Sequence, residues 1–217
     1  AGYQNDKYVN FTYNGVSRCL DQCLPFYITL SPYPADTITY TEKQDPIIID
    51  SGSAVSVVDF NAQNFNGGSL TVDFSANGLP EDAISISTEN GQIGLPSGTT
   101  QVTYNGNTIG NVVGNLGRNE LRIDLTSDAT WEAATALLKN LTYQNTSCNP
   151  STTARTLSIV MTDGIGCTSA TATKTINVFS VNDPPTLNAL SPIHVSSCGG
   201  PVTVQLSGIS SGCSLEN

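Results

Sequence analysis

Residues 155–185 read RTLSIVMTDGIGCTSATATKTINVFSVNDPP, and this stretch decides the fold. Leu157, Ile159 and Met161 alternate with Ser158, Val160 and Thr162, the period-2 pattern of a half-buried strand. After Asp163-Gly164-Ile165-Gly166 the alternation resumes, with Ala170, Ala172, Lys174, Ile176 and Val178 in one phase. Two such runs across a short Gly-containing turn predict a β-hairpin. The second run stops at Val181-Asn182-Asp183-Pro184-Pro185. Proline has no N–H to give a ladder and holds the preceding residue extended, so pairing ends there and a stiff linker begins. The hairpin reads as the last two strands of a sandwich, followed by a joint.

Working outward, residues 36–185 form the main domain. Strands are expected at Thr37–Thr41, Pro46–Ile49, Ala54–Val58, Ser69–Phe74, Ala83–Ser87, Gln101–Tyr104, Thr108–Val113, Leu121–Leu125, Leu141–Asn145, Leu157–Thr162 and Ala170–Phe179. Asn105-Gly106 is a hairpin signal. Phe65-Asn66-Gly67-Gly68 and Asn77-Gly78-Leu79-Pro80 mark further turns. One short helix interrupts the strands. Asp128-Ala129-Thr130 offers N-cap candidates, and Trp131, Ala134, Leu137 and Leu138 follow at helical spacing. Trp131 lies on that apolar stripe, so core packing is its expected role.

Residues 1–35 hold two short aromatic and β-branched runs, Tyr8–Tyr13 and Phe26–Leu30, on either side of Asn14-Gly15 and a CLDQC loop. They read either as the last hairpin of a preceding unit or as a small N-terminal cap. In residues 186–217, Val202, Val204 and Leu206 alternate cleanly. Some thirty residues cannot bury a core of their own, so this segment is expected to be the start of a second unit in a longer array.

The chain has 217 residues, of which 38% are hydrophobic and 12% charged, with 19 glycines. That balance suits an all-β protein rich in turns. No apolar run reaches the roughly 20 residues of a membrane span, and no signal peptide is visible, so one is either left out or already removed. Net charge is −10. Without a basic stripe, nucleic acid is not an expected partner. The acidity serves either solubility alone or cation binding.

The cysteines are Cys19, Cys23, Cys148, Cys167, Cys198 and Cys213. An even number in an acidic β protein points to disulfides and an oxidising compartment. Cys148 and Cys167 flank one strand whose length, about 25 Å, exceeds the roughly 7 Å that a disulfide spans. Their mutual pairing is therefore disfavoured. Either the cysteines bridge the joints, which strand parity favours slightly, or Cys19–Cys23 and Cys198–Cys213 close locally and leave two thiols.

Five stretches together resemble a family: TYTEKQDPIIID, FNGGSLTVDFSANGLPEDAISI, YNGNTIGNVVG, the run from Ala129 to Gly166, and ATKTINVFSVNDPP. They are similar to the cadherin-like, chondroitin-sulfate-proteoglycan-type repeats of very large bacterial surface proteins. The tail from Pro185 resembles the start of an Ig-like repeat. The resemblance implies a Greek-key cadherin- or Ig-like β-sandwich in a secreted or surface-anchored adhesin, as in gliding bacteria. Neighbouring repeats would be its partners, the fragment would be monomeric, and calcium would stiffen its joints.

Calcium takes six to eight oxygens. If the first strand starts at the top, the turn between the last two strands lies there too. Asp163 is then at the upper joint, joined by Asp59 and Asn61, and Asn182 and Asp183 are at the lower one. The family resemblance adds Glu42, whose end parity does not fix because its strand breaks near Pro46. Asp82, read as a loop residue, could reach either cluster. Two departures from the family pattern remove carboxylates: Ser180 opens the joint motif, and the Asp163 turn carries Ile165 where a second Asp belongs. Turn capping would explain Asp163 and Asp183 equally well.

The chain is not expected to be an enzyme. His194 is the only histidine and has no evident nucleophile beside it. Glu81-Asp82 has the pairing a glycosidase uses but is expected to be solvated. The sequons at Asn10, Asn140 and Asn145 are read as chance. The alternative function is a carbohydrate-binding module, with Tyr33, Phe65, Tyr104 and Tyr143 as its aromatic candidates and a surface glycan as its ligand.

Overall fold

The computed structural model describes residues 26–30, 37–50, 52–59, 63–114, 116–117, 119–195, 197–210 and 212–213, with the backbone course of 8–13 and 16–21. It is an all-β sandwich with one short helix, as the alternation predicts. The strands are β1 (Tyr8–Tyr13), β2 (Val16–Asp21), β3 (Tyr27–Thr29), β4 (Thr37–Thr41), β5 (Ile47–Ile48), β6 (Ser56–Val58), β7 (Ser69–Ala76) and β8 (Asp82–Ile86). There follow β9 (Ile93–Gly94), β10 (Gln101–Tyr104), β11 (Asn107–Val113), β12 (Glu120–Leu125), α1 (Trp131–Lys139), β13 (Leu141–Asn145), β14 (Arg155–Thr162) and β15 (Ala172–Phe179).

One sheet has eight strands in the order β4-β15-β14-β7-β12-β11-β10-β9, and a smaller one has the order β5-β13-β8. β3 and β6 form a further pair, as do β1 and β2. The chain crosses between sheets after β7 and after β12, so neighbours in sequence are not always neighbours in a sheet. β14 alternates without a break: Arg155, Leu157, Ile159 and Met161 are buried, and the residues between them are half-buried. β15 continues the pattern with Lys174, Ile176 and Val178 inside. Leu157, Ile159, Met161, Ile176 and Val178 join Leu70, Val72, Leu121 and Ile123 from the same sheet and Ile84, Leu141 and Tyr143 from the other in a single core. Each fully buried Leu, Ile or Phe contributes about 1.5–3 kcal/mol.

Hairpins fall where turn chemistry places them. Asn105 and Gly106 both have positive φ, at 49° and 85°, the primed turn that joins β10 and β11. Thr130 caps α1, its hydroxyl accepting from the Ala133 N–H at 3.3 Å. The helix buries Ala133, Ala134, Ala136, Leu137 and Leu138 and leans on β6, whose Val57 N–H donates to Thr135 Oγ1 at 3.0 Å.

Two details differ from the sequence reading. Cys19 to Asp21, expected in a loop, belong to β2, which pairs with β1 over its whole length. Asp82, also expected in a loop, opens β8. At the N-terminal side, Phe26 is buried against Phe65, with ring centroids 5.8 Å apart, and β3 pairs with β6. At the C-terminal side, Thr186 and Ser210 bridge, and Cys213 is bonded to Cys148.

Candidate functional site: the two ends of the sandwich

Strand direction sorts the acidic residues. β14 ends at Thr162, paired with Ser69 at the start of β7, so the Asp163 turn lies at what we call the upper end. β15 returns, and β4 runs parallel to it, with Phe179 beside Thr41. Glu42 and the Ser180–Asp183 linker therefore meet at the lower end, and the Glu42 N–H donates to Phe179 O at 2.8 Å.

At the lower end the Glu42 side chain is wholly buried. Its Oε2 accepts from the Val181 N–H at 2.8 Å and from the Ser180 hydroxyl at 3.1 Å. Its Oε1 is buried without a hydrogen-bond partner among the described residues and faces the Lys43 ammonium at 3.5 Å. That ammonium also donates to Asp183 Oδ1, and this bond raises the Lys43 pKa above its ordinary value. Asn182 is exposed. Beyond the linker, a Cβ added to Gly212 would lie 2.5 Å from Asp183 O, so the tail presses closely on the joint. A lysine thus stands where the sequence reading places a metal ion, and this end does not fit calcium.

The upper end differs. Asp163 Oδ1 accepts from the N–H groups of Ile165 at 3.0 Å and Cys167 at 2.7 Å. This is the turn-capping role open to any Asp in a tight turn. Its Oδ2 is buried and has no hydrogen-bond partner among the described residues, a state that costs about 1–3 kcal/mol or more for a charged group. Asp59 is fully buried, and the Asn66–Gly68 turn lies at this end. That turn packs so tightly on the Asp163 turn that a Cβ on Gly164 would sit 1.7 Å from Asn66 O. Asn61 lies outside the described residues. The remaining Asp163 oxygen is a donor of the kind calcium takes. Among the described residues, no group of three or more His, Cys, Asp and Glu side chains is arranged to hold a metal.

Asp82 belongs to neither end. Its Oδ1 accepts from the Tyr143 hydroxyl at 2.6 Å and Asn145 Nδ2 at 2.7 Å, and its Oδ2 from the Leu79 N–H at 2.9 Å and Arg155 Nε at 3.2 Å. Both oxygens are satisfied, so Asp82 is neither solvated nor spare for a cation; the buried guanidinium draws it inward. Arg155 also donates to the carbonyls of Ser151 and Thr153. Burial, reinforced by Asp82, raises the Tyr143 pKa far above the ordinary tyrosine value. Tyr40, edge-on to Tyr143 at 5.3 Å, is raised by burial too. A second buried pair, Lys174 and Asp50, meets at 2.7 Å. Parity held the signal for both bases: Arg155 is in phase with Leu157, and Lys174 with Ile176.

Cys148 pairs with Cys213, with Cα atoms 5.6 Å apart, the joint-spanning arrangement. Cys167 is disulfide-bonded as well, and Cys198 is an exposed free thiol; the side chains of Cys19 and Cys23 lie outside the described residues. His194 is exposed. Of the aromatic candidates, Phe65 and Tyr143 are fully buried and Tyr33 lies outside the described residues. Tyr104 instead shares an open cleft of about 390 Å³ with Trp131, Gln92, Glu132 and Lys139. No family model, curated protein or solved structure matches the chain.

Proposed function

We propose that this chain is a non-catalytic structural and adhesive module of a large secreted or surface-anchored bacterial protein. It acts as a bead in an extracellular string whose polar junctions do mechanical work. The observation that carries this reading is the Cys148–Cys213 bond. It ties the segment beyond Pro184-Pro185 back to the lower end of the sandwich, across the linker. A covalent brace at that place is useful where successive units must keep their orientation under load, and it belongs to an oxidising compartment. Val202, Val204, Leu206 and Ile209 expose their side chains, a surface that a neighbouring unit of the array would cover. At the upper end, Asp163, Asp59 and Asn61 would hold calcium, whose charge would offset the buried carboxylates and stiffen the joint with the preceding segment.

A second reading has its own support. A tryptophan and a tyrosine flank a shallow cleft with an amide, a carboxylate and an ammonium, chemistry that suits a sugar face and its hydroxyls. The Glu132 carboxyl is held below its ordinary pKa by its own backbone N–H and by the Thr130 hydroxyl. A glycan array separates the two readings. The spacer reading expects no selective binding. Strong binding to one glycan class, lost in Trp131→Ala, would replace it with a carbohydrate-binding module.

A further inference from the structure

We propose that Lys43 is the built-in cation of the lower joint: its ammonium occupies the position between Glu42 and Asp183 that a divalent ion would need. Removing that charge would open a calcium site. The inference concerns this end alone and does not depend on what the upper end binds.

Backbone geometry puts the ammonium there. Successive residues of extended backbone point to opposite faces, so a lysine following Glu42, were β4 to continue past Thr41, would ordinarily point away from it. Lys43 instead has φ of +64°, the left-handed region that a non-glycine residue seldom enters. The Thr41–Gln44 turn, closed by the Gln44 N–H donating to Thr41 O at 3.0 Å, folds the side chain back over its neighbour. One ammonium thereby reaches its sequence neighbour Glu42 and also Asp183, 140 residues further along the chain.

The surroundings suit a monovalent, organic cation. Glu42 Oε1 is buried and takes no hydrogen bond among the described residues, and the Lys43 ammonium faces it at 3.5 Å. Ser180 contributes a hydroxyl that donates to Glu42 Oε2, a neutral group that adds no negative charge to the joint. Calcium asks for six to eight oxygens, and a lysine, with three N–H donors, needs far fewer. Gly212 closes over Asp183 from the tail side, which keeps the pair from spreading. Lys43 therefore offsets one of the two negative charges of the lower joint from within.

The test is calorimetric calcium titration of the chelator-treated full chain. Wild type is compared with Lys43→Asn, Lys43→Gly, Lys43→Asn/Asp183→Asn, and Asp183→Asn alone. Asn and Gly both accept positive φ, so the turn is kept. Each single Lys43 variant is expected to take up one more equivalent of calcium than wild type, with Kd of about 10⁻⁴–10⁻³ M, the range of extracellular modules. The double variant is expected to lose that equivalent. Any calcium at the upper end appears in every variant and cancels. An unchanged stoichiometry in both Lys43 variants overturns the proposal. So does loss of a calcium equivalent in Asp183→Asn alone, which needs no Lys43 variant and would mean that wild type already holds the ion there.

Discussion

Burying a carboxylate costs several kcal/mol unless something nearby compensates, and this chain compensates in different ways. Asp50 has an ammonium, Asp82 a guanidinium with a phenol and an amide, and Asp163 two backbone N–H groups. Lys174→Met or Asp50→Leu alone is expected to cost about 3–5 kcal/mol, because each strands a buried charge, whereas the double replacement returns close to wild type. Urea melts of the cycle check this; additive losses would contradict it. Tyr40 and Tyr143 make a pH prediction. Their folded pKa values are raised, so the stability they hold is complete below the unfolded value of about 10 and is lost as pH rises through the folded values. Ultraviolet titration should show these two of the eight tyrosines ionising only as the fold is lost. At this scale the sequence was half legible. Arg155 shares its phase with Leu157 and Lys174 with Ile176, but their acidic partners sit in other elements and far away in the chain, and no local pattern names them. Asp82 looked like a loop residue because Pro80 and Gly78 precede it; its burial follows from Arg155.

Alternation made the elements readable. The strands that bury one face, β7, β12, β14 and β15, appear where period 2 places them, and α1 appears where period 3.6 does. β9 was not legible, since two residues inside a turn-rich stretch carry no period. Close backbone approach governs the turns at the upper end. A Cβ on Gly68 would meet Thr162 O at 2.0 Å, and one on Gly164 would meet Asn66 O at 1.7 Å. Gly164→Ala is therefore expected to lose about 1–3 kcal/mol through forced backbone shifts. Gly98→Ala, in open space but at φ of +74°, should lose about 1 kcal/mol from backbone strain alone. Thermal melts of the two variants rank them, and a Gly164→Ala protein as stable as wild type would contradict the tight contact between the two turns.

Across the whole molecule, two features set the path of a pulling force. β4 and β15 are parallel and in register from Thr37↔Thr175 to Thr41↔Phe179. Once the Cys148–Cys213 bond is reduced, a pull on the start of β4 and the end of β15 loads those pairs together, in shear. While intact, the bond diverts load arriving from the C-terminal side into Cys148 and shelters the chain between the two cysteines, including β14 and β15. Partner choice among six cysteines cannot be read from spacing, but the length of β14 already set Cys148 and Cys167 apart. Reduction is expected to free residues 186–213 for proteolysis before the sandwich unfolds, which limited digestion with and without reductant would show. The most direct measurement of a load-bearing role is single-molecule stretching of the chain from its two ends. The oxidised chain should resist and then rupture cooperatively, and reduction should lengthen the released chain by up to about 220 Å, the extended length of the 65-residue separation. Smooth extension without a rupture event, with the same length before and after reduction, would contradict the account.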